Sequence, residues 1–356
     1  MEFNTSGTPA PKGLGGRTIK VLPTHWLDPE AECYPVSSSE APGDGVGGRN
    51  SSWERCKVRS RDLLLVLIQL VGMAVGVLLP HWARLVAPMV LYFMMSMLFL
   101  SFLHIEITPL VRLGKAELQE VFFWTLVKLG LMPLALWALT SVVTPSHALA
   151  VLLLSGVSTG VVAPFLSNLL GSNTTRVIQV VVLSSLLVPV TLPAWVKALM
   201  GADFDIPFLH MVRMLAMVIL LPMCAAAAAK RWAPGVVASL NRAQYPISLC
   251  LFFLIISGIF SSYSGFILDR PKEVLVSLAL ACAIAALAPV AALILARVAP
   301  DVLDRLTGAV CLTFVNNVLI VVFAFQFFDA EAPLVAALYM VPFFAMMVPL
   351  RWLKGR

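Results

Sequence analysis

The sequence predicts an all-α protein that crosses a membrane ten times. Hydrophobic residues make up 60% of the 356-residue chain and charged residues only 12%, whereas soluble domains average roughly 25% charged residues. The apolar residues are grouped into segments of about 20, and a helix of that length covers the ~30 Å hydrocarbon core of a bilayer. Composition and grouping together indicate a polytopic membrane protein.

Ten apolar segments follow one another after a polar start. We place the ten spans at residues 63–80, 87–104, 121–143, 148–170, 177–200, 208–229, 245–266, 274–299, 306–328 and 333–353. They form a single membrane domain, residues 62–356.

Loop charge supports the even number of spans. With a cytoplasmic amino terminus, most Lys and Arg residues near the membrane fall on the inner side, as cytoplasmic loops require. The inner residues are Arg55, Lys57, Arg59, Arg61, Arg112, Lys115, Arg176, Lys230, Arg231, Arg242, Arg297, Arg305, Arg351, Lys354 and Arg356. We therefore expect both termini in the cytoplasm, and the basic balance needs no nucleic-acid partner.

The first 61 residues differ from the rest of the chain. They are rich in Gly, Pro and Ser and lack the apolar stretch of a secretory signal, so we expect a flexible cytoplasmic tail. Cys33 and Cys56 lie in this tail and the other four cysteines lie in spans. We expect no disulfide and no bound cofactor or metal.

Two predicted spans, the fourth and the ninth, contain residues that interrupt helices. In the fourth, Gly156 and Gly160 precede Pro164, and the polar residues Ser158, Thr159 and Asn168 lie among them. Proline removes a backbone donor and glycine lets another helix approach closely. The alternative is an intact helix with a proline kink that packs through its glycines.

The ninth predicted span carries an adjacent amide pair, Asn316 and Asn317, in mid-segment. Neighbouring side chains point in different directions around a helix, and buried amides in lipid need partners. Paired interruptions in corresponding spans of two halves indicate the binding site of a secondary transporter. Hydrogen bonds between helices without transport are the alternative.

Lys128 is a charged residue inside the third predicted span. An ammonium group inside the membrane is energetically costly, so we treat Lys128 as a candidate functional residue. A lysine stem can also carry its charge to the nearer interface. Depth alone leaves both interpretations open.

These features together resemble the bile acid:sodium symporter family, part of a superfamily that also contains arsenite carriers. The resemblance rests on the ten spans, on residues 128–133 with Trp137, on the Gly/Ser/Thr-rich fourth span and on Asn316-Asn317. It implies two inverted five-helix repeats, here residues 63–200 and 208–353. It also implies a panel domain and a core domain in which discontinuous helices four and nine cross.

The sequence departs from the sodium-coupled members of that family at several ion ligands. Lys128 stands where they have a glutamine, and Leu312 stands where they have a glutamate. Arg176 and Val180 replace hydroxyl residues at the start of the fifth span. Sodium favours hard oxygen ligands with a balancing carboxylate, so we predict sodium independence, with the Lys128 ammonium in place of a bound cation.

The predicted function is transport of a small organic anion by a protein without enzymatic activity. We expect the membrane to be the bacterial inner membrane. Its predicted solute site contains Ser158, Thr159, Asn168, Asn316 and Asn317, with the helix break at Gly156, Gly160 and Pro164. Three alternatives stay open: a sodium-coupled symporter, a transport-inactive sensor or scaffold, and a metalloid efflux carrier. We expect membrane lipid as the surroundings, and a monomer is one option for the oligomeric state.

Overall fold

The computed structural model describes residues 60–104, 114–201, 208–328 and 331–353. All of them belong to one compact unit, Lys57–Arg356. The predicted tail lies outside the described residues up to position 59, and the first helix begins directly after it, at Ser60.

The first half of the described chain contains eight α-helices. Short 3₁₀ turns at Ala87–Met89 and Pro145–His147 and a π turn at Val127–Leu131 join some of them end to end. The helices are α1 (Ser60–Leu78), α2 (Pro80–Val86), α3 (Val90–His104), α4 (Lys115–Leu126), α5 (Met132–Val143), α6 (Ala148–Gly156), α7 (Ala163–Leu170) and α8 (Thr174–Met200).

The second half contains nine helices, and its last apolar stretch is divided into three short ones. Pro342 and Pro349 lie in the last two, where a missing N–H weakens the helical ladder. The helices are α9 (Phe208–Trp232), α10 (Pro234–Ser262), α11 (Ser264–Asp269), α12 (Pro271–Ala296), α13 (Arg305–Thr313), α14 (Asn317–Phe327), α15 (Glu331–Leu338), α16 (Met340–Ala345) and α17 (Met347–Leu353).

The predicted all-helical membrane class is confirmed for the described residues. Six helical segments there are long and apolar enough to cross a membrane. They are Pro80–Leu103, Glu117–Val143, Thr174–Met200, Phe208–Trp232, Pro234–Ser262 and Pro271–Ala296. Four shorter apolar helices accompany them, at Leu67–Leu78, Pro145–Gly156, Asn317–Phe327 and Ala332–Phe343.

The centre of the protein is built around the short helices rather than the long ones. Every residue of α13 from Thr307 to Thr313 is buried, and so is α14 from Leu319 to Ala324. Helix α8 packs beside α13 and has 61% of its most apolar stretch buried, against 33% for α9 and α12. The interrupted segments therefore lie in the interior, where their free backbone groups must find partners within the protein.

Candidate functional site

Two broken helices meet backbone to backbone in the protein centre. The chain leaves helical geometry between α6 and α7 and again between α13 and α14, and the two unwound stretches run antiparallel at Thr159 and Val315. The Asn316 N–H donates to the Ser158 carbonyl at 2.9 Å, and the Gly160 N–H donates to the Phe314 carbonyl at 2.7 Å. We call this contact the crossover.

Gly160 is required at the crossover by close approach. A Cβ built on Gly160 would lie 2.6 Å from the Val315 carbonyl oxygen and 3.0 Å from its carbonyl carbon. Gly156, at the end of α6, faces side chains instead, with a Leu192 methyl 3.0 Å from its ideal Cβ position. Pro164 occupies the first turn of α7, where an N–H has no helical acceptor in any case.

Ser158 and Thr159 are fully buried within the crossover. The Thr159 hydroxyl donates to the Cys311 carbonyl at 3.0 Å, and the Thr159 N–H donates to the Ser184 hydroxyl at 3.2 Å. The Ser158 hydroxyl has no hydrogen-bond partner among the described residues. Thr159 therefore ties α6 and α7 to α13 and α8.

Asn316 and Asn317 have different environments although they are adjacent. The Asn316 carboxamide oxygen accepts from the Leu319 N–H at 3.4 Å and caps the start of α14. The Asn317 carboxamide is buried, with 7% of the residue exposed, and neither its oxygen nor its nitrogen has a partner within the described chain. Of the two amides, Asn317 is thus the one whose oxygen and nitrogen both lack a partner among the described residues.

A cavity lies against the crossover and opens onto Asn316 and Asn317. Its volume is about 60 Å³, and Gln69 of α1 is the other polar side chain in its lining. The rest of the lining is apolar side chains and backbone. Those residues are Met94, Met97, Leu98, Gly160, Val161, Val162, Phe252, Val315, Val318, Met340 and Phe343.

The structure brings only part of the predicted site to this cavity. Ser158 and Thr159 lie behind its wall, and Asn168 is an exposed residue on α7 outside the lining. Gln69 of α1, which is not among the predicted site residues, also lines the cavity.

Lys128 lies in the π turn that interrupts the third predicted span. Pro133 has no N–H to give to the Leu129 carbonyl four residues earlier, and the Trp195 indole N–H donates to that carbonyl instead, at 2.7 Å. The Lys128 ammonium is fully buried and donates to the Ser155 carbonyl at 2.9 Å. Ser155 lies in the last turn of α6, so the ammonium stands at the negative end of a half-helix.

Lys128 belongs to a buried stripe whose other members are Glu120 and Trp124, each four residues apart on one side of α4. The Trp124 ring covers Gly308 of α13 so closely that a Cβ there would lie 2.3 Å from the ring. The Glu120 carboxylate pairs with Arg176 and accepts from the Asp304 N–H at 2.8 Å. It therefore meets the positive end of α13.

Sequence reasoning missed the acidic end of this stripe. Glu120 precedes the predicted third span, which we began at Val121, so its burial was not expected. The available signal was spacing, because Glu120, Trp124 and Lys128 repeat every four residues and thus share one helix face.

The model of one protein family, the sodium bile acid symporter family, matches residues 55–270. The chain belongs to this family. The matched range contains α1 to α11, including Lys128 and the first broken helix, and ends before the second. A comparison with curated proteins finds no match. Family membership and the six apolar helices identify an integral membrane protein of a transporter family.

Proposed function

We propose that the chain is a secondary transporter that binds a small organic anion at the crossover and moves it without sodium. The observation that supports this most directly is the unpartnered Asn317 amide, which faces a cavity lined by the starts of α7 and α14. Both helices begin at a break, so the positive ends of their dipoles lie beside the cavity. Such an arrangement favours a negatively charged group.

The anion is held by the Asn317 side-chain amide and the positive ends of two helices rather than by a cationic side chain. No charged side chain lines the cavity within the described part of the chain, and the Lys128 ammonium donates to α6 on the other side of the crossover. Two half-helix ends together provide about one positive charge. A single carboxylate suits this site better than a multiply charged solute.

The remainder of the cavity suits an apolar body attached to that carboxylate. Met94, Met97 and Met340 offer flexible, polarisable side chains, and Phe252 and Phe343 offer aromatic surface. Methionine side chains adapt to irregular shapes and contact rings favourably. The proposed solute is therefore amphipathic, with an anionic head at Asn317.

The group at the carbonyl end of α6 and the residue at position 312 support the proposed sodium independence. The Lys128 ammonium already donates to the Ser155 carbonyl oxygen. A bound cation would be attracted to the same oxygen. Leu312, where sodium-coupled members have glutamate, is fully buried on α13 and has no ion-binding atom in its side chain. We propose that a fixed positive charge replaces a transported one.

The wider architecture belongs to the same proposal. Ten spans in two inverted repeats, residues 63–200 and 208–353, would form a panel domain and a core domain, with both termini in the cytoplasm of a bacterial cell. The packing of α1 against α10, and of α3 against α9 and α10, is consistent with a separate panel.

The first test measures binding and uptake of three organic anions: octanoate, benzoate and cholate. Each is paired with its uncharged amide, so that only the head group changes. We expect at least one anion to raise the melting temperature of the purified protein and to enter proteoliposomes, because a bound solute stabilises by mass action. Its amide should do neither, and replacing sodium by choline at fixed pH should leave uptake nearly unchanged.

Each contrary result points to a named alternative. A saturable sodium requirement would mean a sodium-coupled symporter. Thermal stabilisation by an anion without uptake would indicate a sensor. No effect of any anion in either assay would contradict the proposed solute class.

A second test separates the two asparagines. Asn317→Ala should weaken binding of an active anion about tenfold or more, because hydrogen bonds to charged groups contribute about 1.5–3 kcal/mol. Asn316→Ala should instead cost about 1 kcal/mol of stability, since it removes the cap of α14. Isothermal titration and thermal unfolding of both variants measure these effects. Equal loss of affinity in both variants would contradict the division of roles.

A further inference from the structure

The two half-helices that end at the crossover both receive a side-chain donor at their last carbonyls. At the end of α6 the donor is the Lys128 ammonium, which bonds to the Ser155 oxygen at 2.9 Å. At the end of α13 it is the Tyr339 hydroxyl, which bonds to the Thr313 oxygen at 2.7 Å. The last four carbonyls of a helix have no hydrogen-bond donor within the helix. Each side chain therefore supplies a donor that the helix itself lacks.

Tyr339 is placed between the crossover and the wall of the cavity. It is fully buried where α15 gives way to α16, and its ring contacts Phe343 at 6.3 Å between centroids. Phe343 lines the cavity and also stacks edge-on against Phe314, at 5.1 Å. Movement of the end of α13 would therefore disturb both the crossover and the cavity wall.

Only three residues separate Thr313 from the solute amide. The Thr313 oxygen also accepts from the Val315 N–H at 3.1 Å, and the Val315 oxygen accepts from the Asn317 N–H at 2.9 Å. The Tyr339 hydroxyl thus holds the first link of a chain of short turns that ends at Asn317. Without this bond, that stretch would be held mainly by its contacts with Ser158 and Gly160.

We propose that Tyr339 is a positioning residue, whose hydroxyl fixes the end of α13 and so the orientation of the Asn317 amide in the cavity. The presentation of a solute amide rests on the proposed function, but the fixing of α13 does not. A phenyl ring would make the same ring contacts, so the hydroxyl is the part of Tyr339 that the crossover needs. The Tyr339 hydroxyl is uncharged, so it donates to the C-terminal end of α13 without adding a second positive charge to that of Lys128.

The test uses Cys311, a buried thiol two residues before Thr313, as a reporter of local opening. N-ethylmaleimide labelling of the Cys311 peptide is followed by mass spectrometry in isolated membranes, so each variant needs only to insert. Tyr339→Phe should label about tenfold faster than the parent, the factor that corresponds to ~1.4 kcal/mol, because α13 opens more often from its neighbours.

Two controls separate the hydroxyl from general packing. Tyr263→Phe makes the same chemical change in a ring that is 5% exposed and contacts Phe325 rather than the crossover, so its labelling should stay within twofold of the parent. Phe343→Leu removes ring contacts with both Tyr339 and Phe314 and keeps the hydroxyl, so its labelling should rise clearly less than that of Tyr339→Phe.

Several results would overturn the positioning role. A Tyr339→Phe rate within twofold of the parent would show that the hydroxyl does not hold α13, and an equal increase in Phe343→Leu would assign the effect to packing. Labelling requires no solute, so the outcome is independent of the proposed function. Faster labelling together with no anion binding would leave the positioning of α13 intact and contradict the transport proposal alone.

Discussion

Gly160→Ala is expected to destabilise the protein by about 3 kcal/mol, at the upper end of the cost of overpacking an interior. The added methyl group would lie 2.6 Å from the Val315 carbonyl oxygen. That oxygen belongs to the backbone and accepts from the Asn317 N–H, so it cannot move without loss of the crossover geometry. Thermal unfolding of the purified variant measures the effect, and anion binding should fall with it because Gly160 also lines the cavity.

Gly235→Ala is the matched control for this substitution. It adds the same methyl group near the start of α10, where nothing lies within 4 Å of an ideal Cβ, and alanine favours a helix over glycine by about 1 kcal/mol. Its stability should equal or exceed that of the parent. A Gly160→Ala variant as stable as Gly235→Ala would mean that the two backbones are not in contact in the membrane.

Much of the fold could be predicted because hydrophobic spans are long and the chemistry of helix interruption is local. Pro164 and the nearby glycines predict a break in the helix, and the structure places that break between Gly156 and Ala163. The π turn at Val127–Leu131 was harder to predict from the sequence. It depends on an indole from α8 that replaces the donor missing at Pro133, and no local pattern specifies such a distant partner.

The geometry of the candidate site could not be predicted from the sequence. The asparagine pair was visible, yet the assignment of a cap to Asn316 depends on the residue at which α14 restarts. Asn168 was included for its nearness in sequence to the break, but the start of α7 at Ala163 carries it to an exposed position. Tyr339 and Thr313 lie 26 residues apart, and only the tertiary structure joins them.

Charge placement explains why the core tolerates both a buried acid and a buried base. Glu120 contacts the N-terminal end of α13, and Lys128 contacts the C-terminal end of α6. Each charged side chain therefore faces a helix end that carries a partial charge of the opposite sign. Trp124 fills the turn between them against Gly308. The stripe thus fixes the position of α4 relative to both half-helices.

Lys128→Met is expected to cost about 1–3 kcal/mol of stability, because it leaves the Ser155 carbonyl and the end of α6 without their donor at similar side-chain volume. Thermal unfolding measures the loss. Lys197→Met is the control, since Lys197 is exposed and its ammonium lies over the Phe208 ring, 5.4 Å from the ring centroid. Its stability should change by less than about 1 kcal/mol. Equal behaviour of the two variants would place the Lys128 charge at the lipid interface.

The paired substitution Lys128→Gln with Leu312→Glu tests whether the fixed ammonium stands in for sodium. Lys128→Gln alone should stay insensitive to sodium, because Leu312 still offers no carboxylate beside the carbonyl ends of the broken helices. With both changes, sodium chloride should raise the melting temperature above that in choline chloride at equal ionic strength, since oxygen ligands and a negative charge are then present together. The affinity should be modest, because Arg176 and Val180 remain where hydroxyl ligands would complete a site. A double variant that folds and shows no difference between the two salts would remove the cation-replacement account of Lys128 and leave its bond to Ser155 as a structural contact alone.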